Sequence, residues 1–270
     1  MPVNFFDPQS TTVRIGQFTE SDKPVLETIE RISRGIDTSK DLTGIEIRML
    51  PPFIVDNHTK PVWPFPGFSR LYCLTIVISD AANQLVGAID LKGFPRIGDQ
   101  EYLPINKTIY YWQGSEAGTE KAPTQIHVMT SVIKSKQDLR DAGKILTEVK
   151  SDTVYKSLVE KLAKTATDAS GVGVALDIVG EIAGVVGKYM GNVQDKPIGT
   201  TINSYTSLYG DFDQTGINKR KITTPHVNFE FDLVVRDKNR IKERATRSRS
   251  AEEGDIDLEE KVEVEMIDLN

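Results

Sequence analysis

The sequence predicts a mainly β protein of the α+β class: an antiparallel β-sandwich with an inserted helical hairpin and a polar C-terminal tail. Short runs rich in β-branched and aromatic residues lie on both sides of one helical region. Segments rich in Gly and Pro, such as PFPG and GFPRIGD, separate these runs as turns do. The 270 residues are 39% hydrophobic, which suits a globular chain with a sizeable core. Many short strands between turns are typical of sandwiches and barrels.

The strands follow from these β-rich runs in chain order. Leu71–Ser79 (LYCLTIVIS) gives the strongest strand prediction, and with the returning run 85–91 it predicts a hairpin around the polar turn DAANQ. The other predicted strands are 13–18, 45–50, 108–113 and 125–133 before the helices, and 201–208 and 227–235 after them.

Helices are predicted where apolar residues recur every three or four positions. In segment 153–167, Tyr155, Leu158 and Leu162 share one face, and Asp152 precedes them as a natural N-cap. The other predicted helices are 22–33, 136–149 and 172–190. The last three helices make up a helical insertion, residues 136–191, within a sandwich domain that spans residues 1–235.

Helix 172–190 differs from the others because it is apolar around most of its circumference. Its glycines include GxxxG spacings, which allow close approach of another backbone and promote helix dimerisation in lipid: Gly180, Gly184, Gly187 and Gly191. One hypothesis is a latent membrane-inserting hairpin formed by residues 155–191. The alternative is a helix buried against its neighbour and packed on the sandwich. Tight packing would predict that a bulky residue in place of Gly184 destabilises the fold.

The tail separates charge of opposite sign. Residues 236–249 hold seven Lys or Arg against two acids, and residues 251–270 hold nine acids against one Lys. The pattern predicts a charged connector, 236–261, and a terminal strand, 262–269, in which Val262 and Val264 alternate with Glu263 and Glu265. This strand either completes the chain's own sheet or adds to the edge of a partner. The basic residues either meet an anionic surface or form a solvated segment; they include Arg236, Lys238, Arg240, Lys242 and Arg244.

Composition narrows the classes of partner and compartment. A net charge of -6 and a pI near 5.3 argue against a nucleic-acid partner, which requires clustered positive charge. The single cysteine, Cys73, excludes an intramolecular disulfide framework. The start of the sequence lacks the charge and apolar pattern of a Sec signal peptide, and no uncharged apolar run approaches about 18 residues. We therefore expect a cytoplasmic protein or one exported without a Sec signal, with peripheral membrane contact as an alternative.

No pattern typical of an enzyme is found in the sequence. His58, His127 and His226 are widely separated, and neither a GxSxG elbow nor a phosphate-binding GxxxxGK[ST] loop is present. With one cysteine and no paired histidines, a structural zinc site is not expected. The sequence predicts a protein without catalytic activity and without a resident cofactor, calcium excepted. The alternative is an enzyme in which a cleft gathers acids that are distant in the sequence.

Calcium is the one ion for which the sequence offers candidate ligands. Asp211 and Asp213 begin the segment DFDQTG, which matches the first half of an EF-hand loop, but Ile222 stands where a bidentate Glu is required. Asp80 follows the strongest strand and would join them if the loops gather at one end of the sandwich. The alternative is that the segment around Asp211 is an ordinary turn.

Residues 71–235 resemble C2-like β-sandwich proteins, which are calcium- or membrane-linked modules. The resemblance lies in the hairpin LYCLTIVISDAANQLVGAIDL with Asp80 at its turn, in the strand and polar loop QIHVMTSVIKSKQDLRDAGKIL, and in a helical insertion that ends at NVQDKPIG. It implies about eight strands with loops gathered at one end. Calcium-binding members carry several closely spaced loop aspartates, whereas here Asp195 is followed by Lys196.

Three functions remain open at this point. The first is a non-enzymatic interaction module that docks on a protein partner or a membrane surface. The second is a membrane-active, pore-forming or lytic effector that inserts helices 155–191. The third is a structural subunit of a larger assembly, in which the strand 262–269 pairs with the sheet edge of a neighbour. Removing residues 250–270 would abolish oligomers only if the third hypothesis holds.

Overall fold

A computed structural model describes residues 3–5, 11–14, 42–61, 67–81, 84–114, 121–135, 139, 141–164, 171–190 and 196–237. The predicted helix 22–33, nearly all of the connector and the predicted strand 262–269 lie outside these residues. The strands are β1 (Thr11–Arg14), β2 (Leu42–Met49), β3 (Phe53–Ile54), β4 (Ser69–Ala81), β5 (Gln84–Ile97), β6 (Glu101–Tyr102), β7 (Lys107–Gln113), β8 (Gln125–Ser135), β9 (Lys196–Thr206), β10 (Gly216–Thr223) and β11 (Val227–Asp237).

These strands form two sheets that face each other. The helix-side sheet has the order β1-β9-β8-β4-β5, and the outer sheet has the order β6-β3-β11-β2-β7, with β10 paired to β11. Among the described residues, all strand pairs are antiparallel except β1 with β9. One core cluster fills the space between the sheets, where Cys73 and Val128 of one sheet meet Phe229 and Phe231 of the other. The predicted antiparallel β-sandwich of the α+β class is confirmed.

The position of each strand in the sandwich explains its sequence pattern. In β4, every residue from Leu71 to Asp80 is buried, because this strand has covered faces on both sides. In β11, burial alternates from Val227 to Leu233, as expected for a strand of the outer sheet with one face towards solvent. The predicted 71–91 hairpin is confirmed by the pairing of β4 with β5.

A layer of three helices covers the other face of the helix-side sheet. The helices are α1 (Ala142–Ser151), α2 (Thr153–Lys164) and α3 (Gly171–Met190). A second core cluster joins them to this sheet, with Ile178 and Ile182 of α3 near Leu74 and Ile76 of β4. Asp152 caps α2 as predicted, since its Oδ1 accepts a hydrogen bond of 2.7 Å from the backbone N–H of Val154.

The glycines of α3 divide into two kinds. Gly184 is exposed, and a Cβ placed on it would have no atom within 4 Å, so the expected tight packing at this position is wrong. Gly187 is buried, and a Cβ there would lie 2.5 Å from the backbone oxygen of Val3. Close approach at Gly187 lets Val3 and Phe5 pack on the helix. Gly180 is half-buried, and Gly191 lies outside the described residues.

The charges of α3 stay at the surface while its apolar residues are covered. Asp177, Glu181 and Lys188 are exposed, and the buried residues contact the helix-side sheet or the neighbouring helices. Among the residues that the structure describes, no helix is both long enough and apolar enough to cross a membrane. The membrane-inserting hypothesis for residues 155–191 stays a prediction.

Candidate functional site

Asp80 anchors a loop at one end of the sandwich. Its Oδ1 accepts hydrogen bonds from the backbone N–H groups of Thr124 and Gln125 at 2.8 and 2.9 Å, and its Oδ2 accepts one from the Thr124 hydroxyl. Burial raises the pKa of this carboxyl, and the hydrogen bonds from Thr124 and Gln125 act in the opposite direction. This carboxylate therefore holds the start of β8 in place.

Asp211 lies at the same end of the helix-side sheet, as the loop hypothesis expected. Gln125 pairs with Thr206, whose N–H donates a hydrogen bond of 2.8 Å to Asp211 Oδ2, while Asp211 Oδ1 forms an ion pair with Arg220. Asp213, two residues further along the chain, is buried and also interacts with another group of the protein. Among the described residues, these aspartates belong to no group positioned to share an ion. Calcium binding by Asp80, Asp211 and Asp213 stays a prediction that these contacts do not support.

His127 and Cys73, for which the sequence predicted strand positions, are buried in the core. His127 has no exposed surface, and hydrogen bonds join its ring nitrogens to Ser204 Oγ at 2.9 Å and Gln125 Oε1 at 3.0 Å. Burial lowers the pKa of His127 to about 4 and raises the pKa of Cys73 to about 12. Both groups are therefore shielded from solvent.

Of the predicted basic residues, Arg236 lies in the described part of the chain. It donates a hydrogen bond of 2.6 Å to Glu46, which also accepts hydrogen bonds from Arg48 and Thr108. Burial raises the pKa of Glu46, but the hydrogen bonds from Arg48 and Arg236 outweigh it and hold that pKa at about 2. Arg236 therefore stabilises the outer sheet. Lys238, Arg240, Lys242 and Arg244 lie outside the described residues.

The structure assembles a cluster that the sequence did not reveal, formed by Asp56, His58 and His226. One ligand atom from each lies within 4.8 Å of the others, and Asp56 Oδ2 is 3.6 Å from His226 Nδ1. The two imidazole rings meet edge to face with 3.9 Å between centroids. Burial lowers the pKa of His226, as does His58, while Asp56 raises it. Two imidazoles and one carboxylate can donate to a divalent transition metal ion.

Two loops at the opposite end of the helix-side sheet from Asp80 carry this cluster. Ile54 pairs with Val227 across β3 and β11, so the chain that leaves β3 meets the turn that enters β11. The backbone N–H groups of Val55 and Asp56 donate hydrogen bonds of 2.8 and 3.3 Å to the carbonyl oxygen of His226. These contacts fix residues 55–56 against the turn that bears His226.

Asn57 fixes this loop through hydrogen bonds of its buried side chain. Its side chain is fully buried, and its Nδ2 donates hydrogen bonds to the carbonyl oxygens of Gly67 and Ile97 at 2.7 and 2.9 Å. Its own N–H donates to Asp99, and its Oδ1 accepts from the N–H of Thr59. The next residue, His58, has a φ of 58°, a left-handed conformation that is uncommon for residues other than glycine. The hydrogen bonds around Asn57 hold the backbone in this conformation.

A second surface feature is the edge strand β10. Among the described residues it pairs with β11 alone, so its other side is an open edge of the outer sheet. Ile217, Lys219 and Lys221 are exposed on its outer face, and Ile217 keeps 59% of its surface accessible. Arg220 points the other way, towards Ser204 and Asp211. The outer face of this edge is therefore basic, with one apolar side chain.

The fold and these two features define a β-sandwich protein with a helical layer on one face, a histidine–aspartate cluster at one end and a basic open edge. No protein-family model matches the chain, and no curated protein matches it either. Sequence reasoning missed the cluster because His58 and His226 are 168 residues apart. Only the register of β3 against β11 brings them together.

Proposed function

We propose that the protein is a non-enzymatic interaction module that associates with copies of itself. In this proposal the segment 262–269 of one copy adds as an antiparallel strand to the β10 edge of the next. The proposal combines the first and third functions that the sequence left open. A single observation carries it: the side-chain pattern of β10 is complementary to that of segment 262–269.

The complementarity is position by position. With Ile267 opposite Ile217, an antiparallel pairing places Glu265 opposite Lys219 and Glu263 opposite Lys221, all on the outer face. The alternate residues then lie on the inner face, where Val262 is opposite Ile222. Each cross-strand pair of opposite charge contributes roughly 0.2–1 kcal/mol. A shift by one residue would move every pair to the wrong face.

The new strand would also continue the charge pattern of the existing sheet. Arg48 of β2 pairs with Asp232 of β11, and Asp232 pairs with Lys219 of β10, so charge alternates along this row. Glu265 would extend the row with a fourth, negative member. In the neighbouring row Glu46 of β2 pairs with Val234 and Val234 pairs with Ile217, and Ile267 would add a third apolar side chain after these two. The β10 edge therefore offers both the charge and the apolar contact that this segment requires.

Each copy carries one donor segment and one acceptor edge. Two copies that exchange their segments form a two-fold dimer, and copies that each donate to the next form rings or open chains. The backbone hydrogen bonds of the added strand supply affinity, and the alternating side chains supply specificity.

Charge reversal in two separate chains tests this function. One full-length variant carries Lys219→Glu with Lys221→Glu, and the other carries Glu263→Lys with Glu265→Lys. We expect wild type to form concentration-dependent oligomers in light scattering after size exclusion, in buffer with a chelator. We expect each variant alone to be monomeric, because its edge and its segment then carry the same sign. Mixing the two variants should restore oligomers, since each mixed contact again joins opposite charges.

A matched control separates this effect from net charge. Lys144→Glu with Lys156→Glu makes the same charge change on exposed positions of α1 and α2, and this variant should associate as wild type does. Wild type that stays monomeric at every concentration would refute self-association. So would mixed variants that stay monomeric while one chain carrying all four substitutions regains wild-type stability, because that result means the segment binds its own edge.

A further inference from the structure

The cluster of Asp56, His58 and His226 has the composition of a metal site with three protein ligands. Imidazole and carboxylate together suit zinc and the neighbouring divalent transition metals, whereas magnesium and calcium prefer oxygen ligands alone. In tetrahedral zinc sites with bonds of about 2.0–2.1 Å, ligand atoms lie about 3.3–3.4 Å apart. The 3.6 Å between Asp56 Oδ2 and His226 Nδ1 is close to that value.

The third ligand needs only a small movement. The three ligand atoms lie within 4.8 Å of one another, so the remaining distances shorten by about 1.5 Å or less on metal binding. The ring of His58 contacts that of His226 edge to face. Because His58 is exposed to solvent, its side chain has room to rotate.

The backbone around the cluster is already fixed for binding. Asp56 Oδ1 accepts a hydrogen bond of 2.7 Å from the N–H of His58, which leaves Oδ2 directed towards His226. Lys134 Nζ donates hydrogen bonds of 2.7 Å to the carbonyl oxygen of His58 and to Thr59 Oγ1. The hydrogen bond to Asp56 Oδ1 orients a ligand side chain, and the bonds from Lys134 fix the backbone that carries His58.

We propose that Asp56, His58 and His226 bind one divalent transition metal ion, zinc above all. The side chain of Asp56 is 49% exposed and that of His226 is 25% exposed, so the ion reaches the cluster from solvent. Three protein ligands leave at least one coordination position for water or for a group from another molecule. The donor set lies at the end of the sandwich, where His226 is in the turn that joins β10 to β11.

Zinc binding by the full-length protein tests this inference. The protein is first stripped with a chelator and dialysed, and zinc is then titrated into it by calorimetry. Mass spectrometry measures how many zinc ions each chain retains after the titration. We expect one zinc ion per chain. His58→Asn and His226→Gln should each weaken zinc binding by roughly tenfold or more, because loss of a direct ligand costs at least as much as loss of its supporting hydrogen bonds. Asn is chosen at position 58 because it tolerates a left-handed backbone.

Two controls make the result specific. Asp177→Asn removes an exposed acid of α3 and should leave zinc affinity unchanged. Cobalt(II) bound to wild type should give the visible absorption of an ion with nitrogen and oxygen ligands, and this absorption should be lost in His226→Gln. Failure of wild type to bind zinc would overturn the inference. So would retained wild-type affinity in His58→Asn and His226→Gln, which would place the ion on other residues.

Discussion

The two glycines of α3 lead to a prediction in which the same substitution has opposite effects on stability. Gly184→Ala should stabilise the protein, because a Cβ at this exposed helix position has no atom within 4 Å. Alanine in a helix interior is favoured over glycine by about 1 kcal/mol, partly through a less flexible unfolded chain. For a protein of this size, a gain of that magnitude raises Tm by about 2–4 °C.

Gly187→Ala should destabilise it, although the helix propensity gained is the same. The new Cβ would lie 2.5 Å from the backbone oxygen of Val3 and 3.1 Å from Phe5 Cε2, and the hydrogen bond from Val3 N–H to Gly187 O would have to lengthen. Overpacking costs about 1–3 kcal/mol, and exposing a side chain such as Phe5 costs about 1.5–3 kcal/mol. After the gain in propensity of about 1 kcal/mol, we expect a net loss of roughly 1.5–5 kcal/mol.

Urea denaturation and thermal melting of the two full-length variants measure these effects. A double-mutant cycle identifies the cause, because deleting residues 2–5 should abolish most of the cost of Gly187→Ala and leave the gain from Gly184→Ala intact. Equal changes in both variants would refute the reasoning, since the structure then would not distinguish the two positions. A large loss of stability in Gly184→Ala would restore the tight packing that the GxxxG spacing suggested.

Two further predictions concern buried titratable groups. Burial lowers the pKa of His127 from 6.5 to about 4, so the unfolded chain binds the proton at a higher pH than the folded chain. The free energy of unfolding should therefore be at its full value above pH 6.5 and fall by up to about 3 kcal/mol as the pH drops to 4. In urea denaturation, the His127→Gln variant should lack this pH dependence. The Cys73 thiol is buried and its pKa is raised to about 12, so iodoacetamide at pH 8 should label it only when the whole protein unfolds. Labelling that is fast and independent of urea would contradict this burial.

The central strands could be predicted from the sequence, and one edge strand could not. β4 and β8 are covered on both faces, and their runs of β-branched and other apolar residues, such as LYCLTIVI in β4, have few alternatives to a buried strand. β10 (GINKRKIT) has Ile217 on the outer face and Ile222 on the inner face, so its apolar residues do not alternate. Its strand conformation depends on pairing with β11, which a local pattern does not contain.

The candidate site could be predicted from the sequence less well than the fold. Asp80 was correctly placed at a strand end, but its burial and its hydrogen bonds to Thr124 and Gln125 come from a segment 44 residues away. His58 lies in an exposed loop and His226 in a turn, positions where single histidines are common and uninformative. Their meeting depends on one short pairing between β3 and β11 and on the loop that Asn57 fixes.

The two proposals meet at one turn, and this geometry decides how their tests are kept apart. In the proposed register, Lys261 would lie opposite Thr223, three residues before His226, so the preceding acids of a docked segment would arrive beside the metal cluster. Association is therefore measured with a chelator present, and zinc binding is measured again in the Lys219→Glu, Lys221→Glu chain. Zinc bound by that variant with wild-type affinity does not require a docked segment, and oligomers formed under chelation do not require a metal ion.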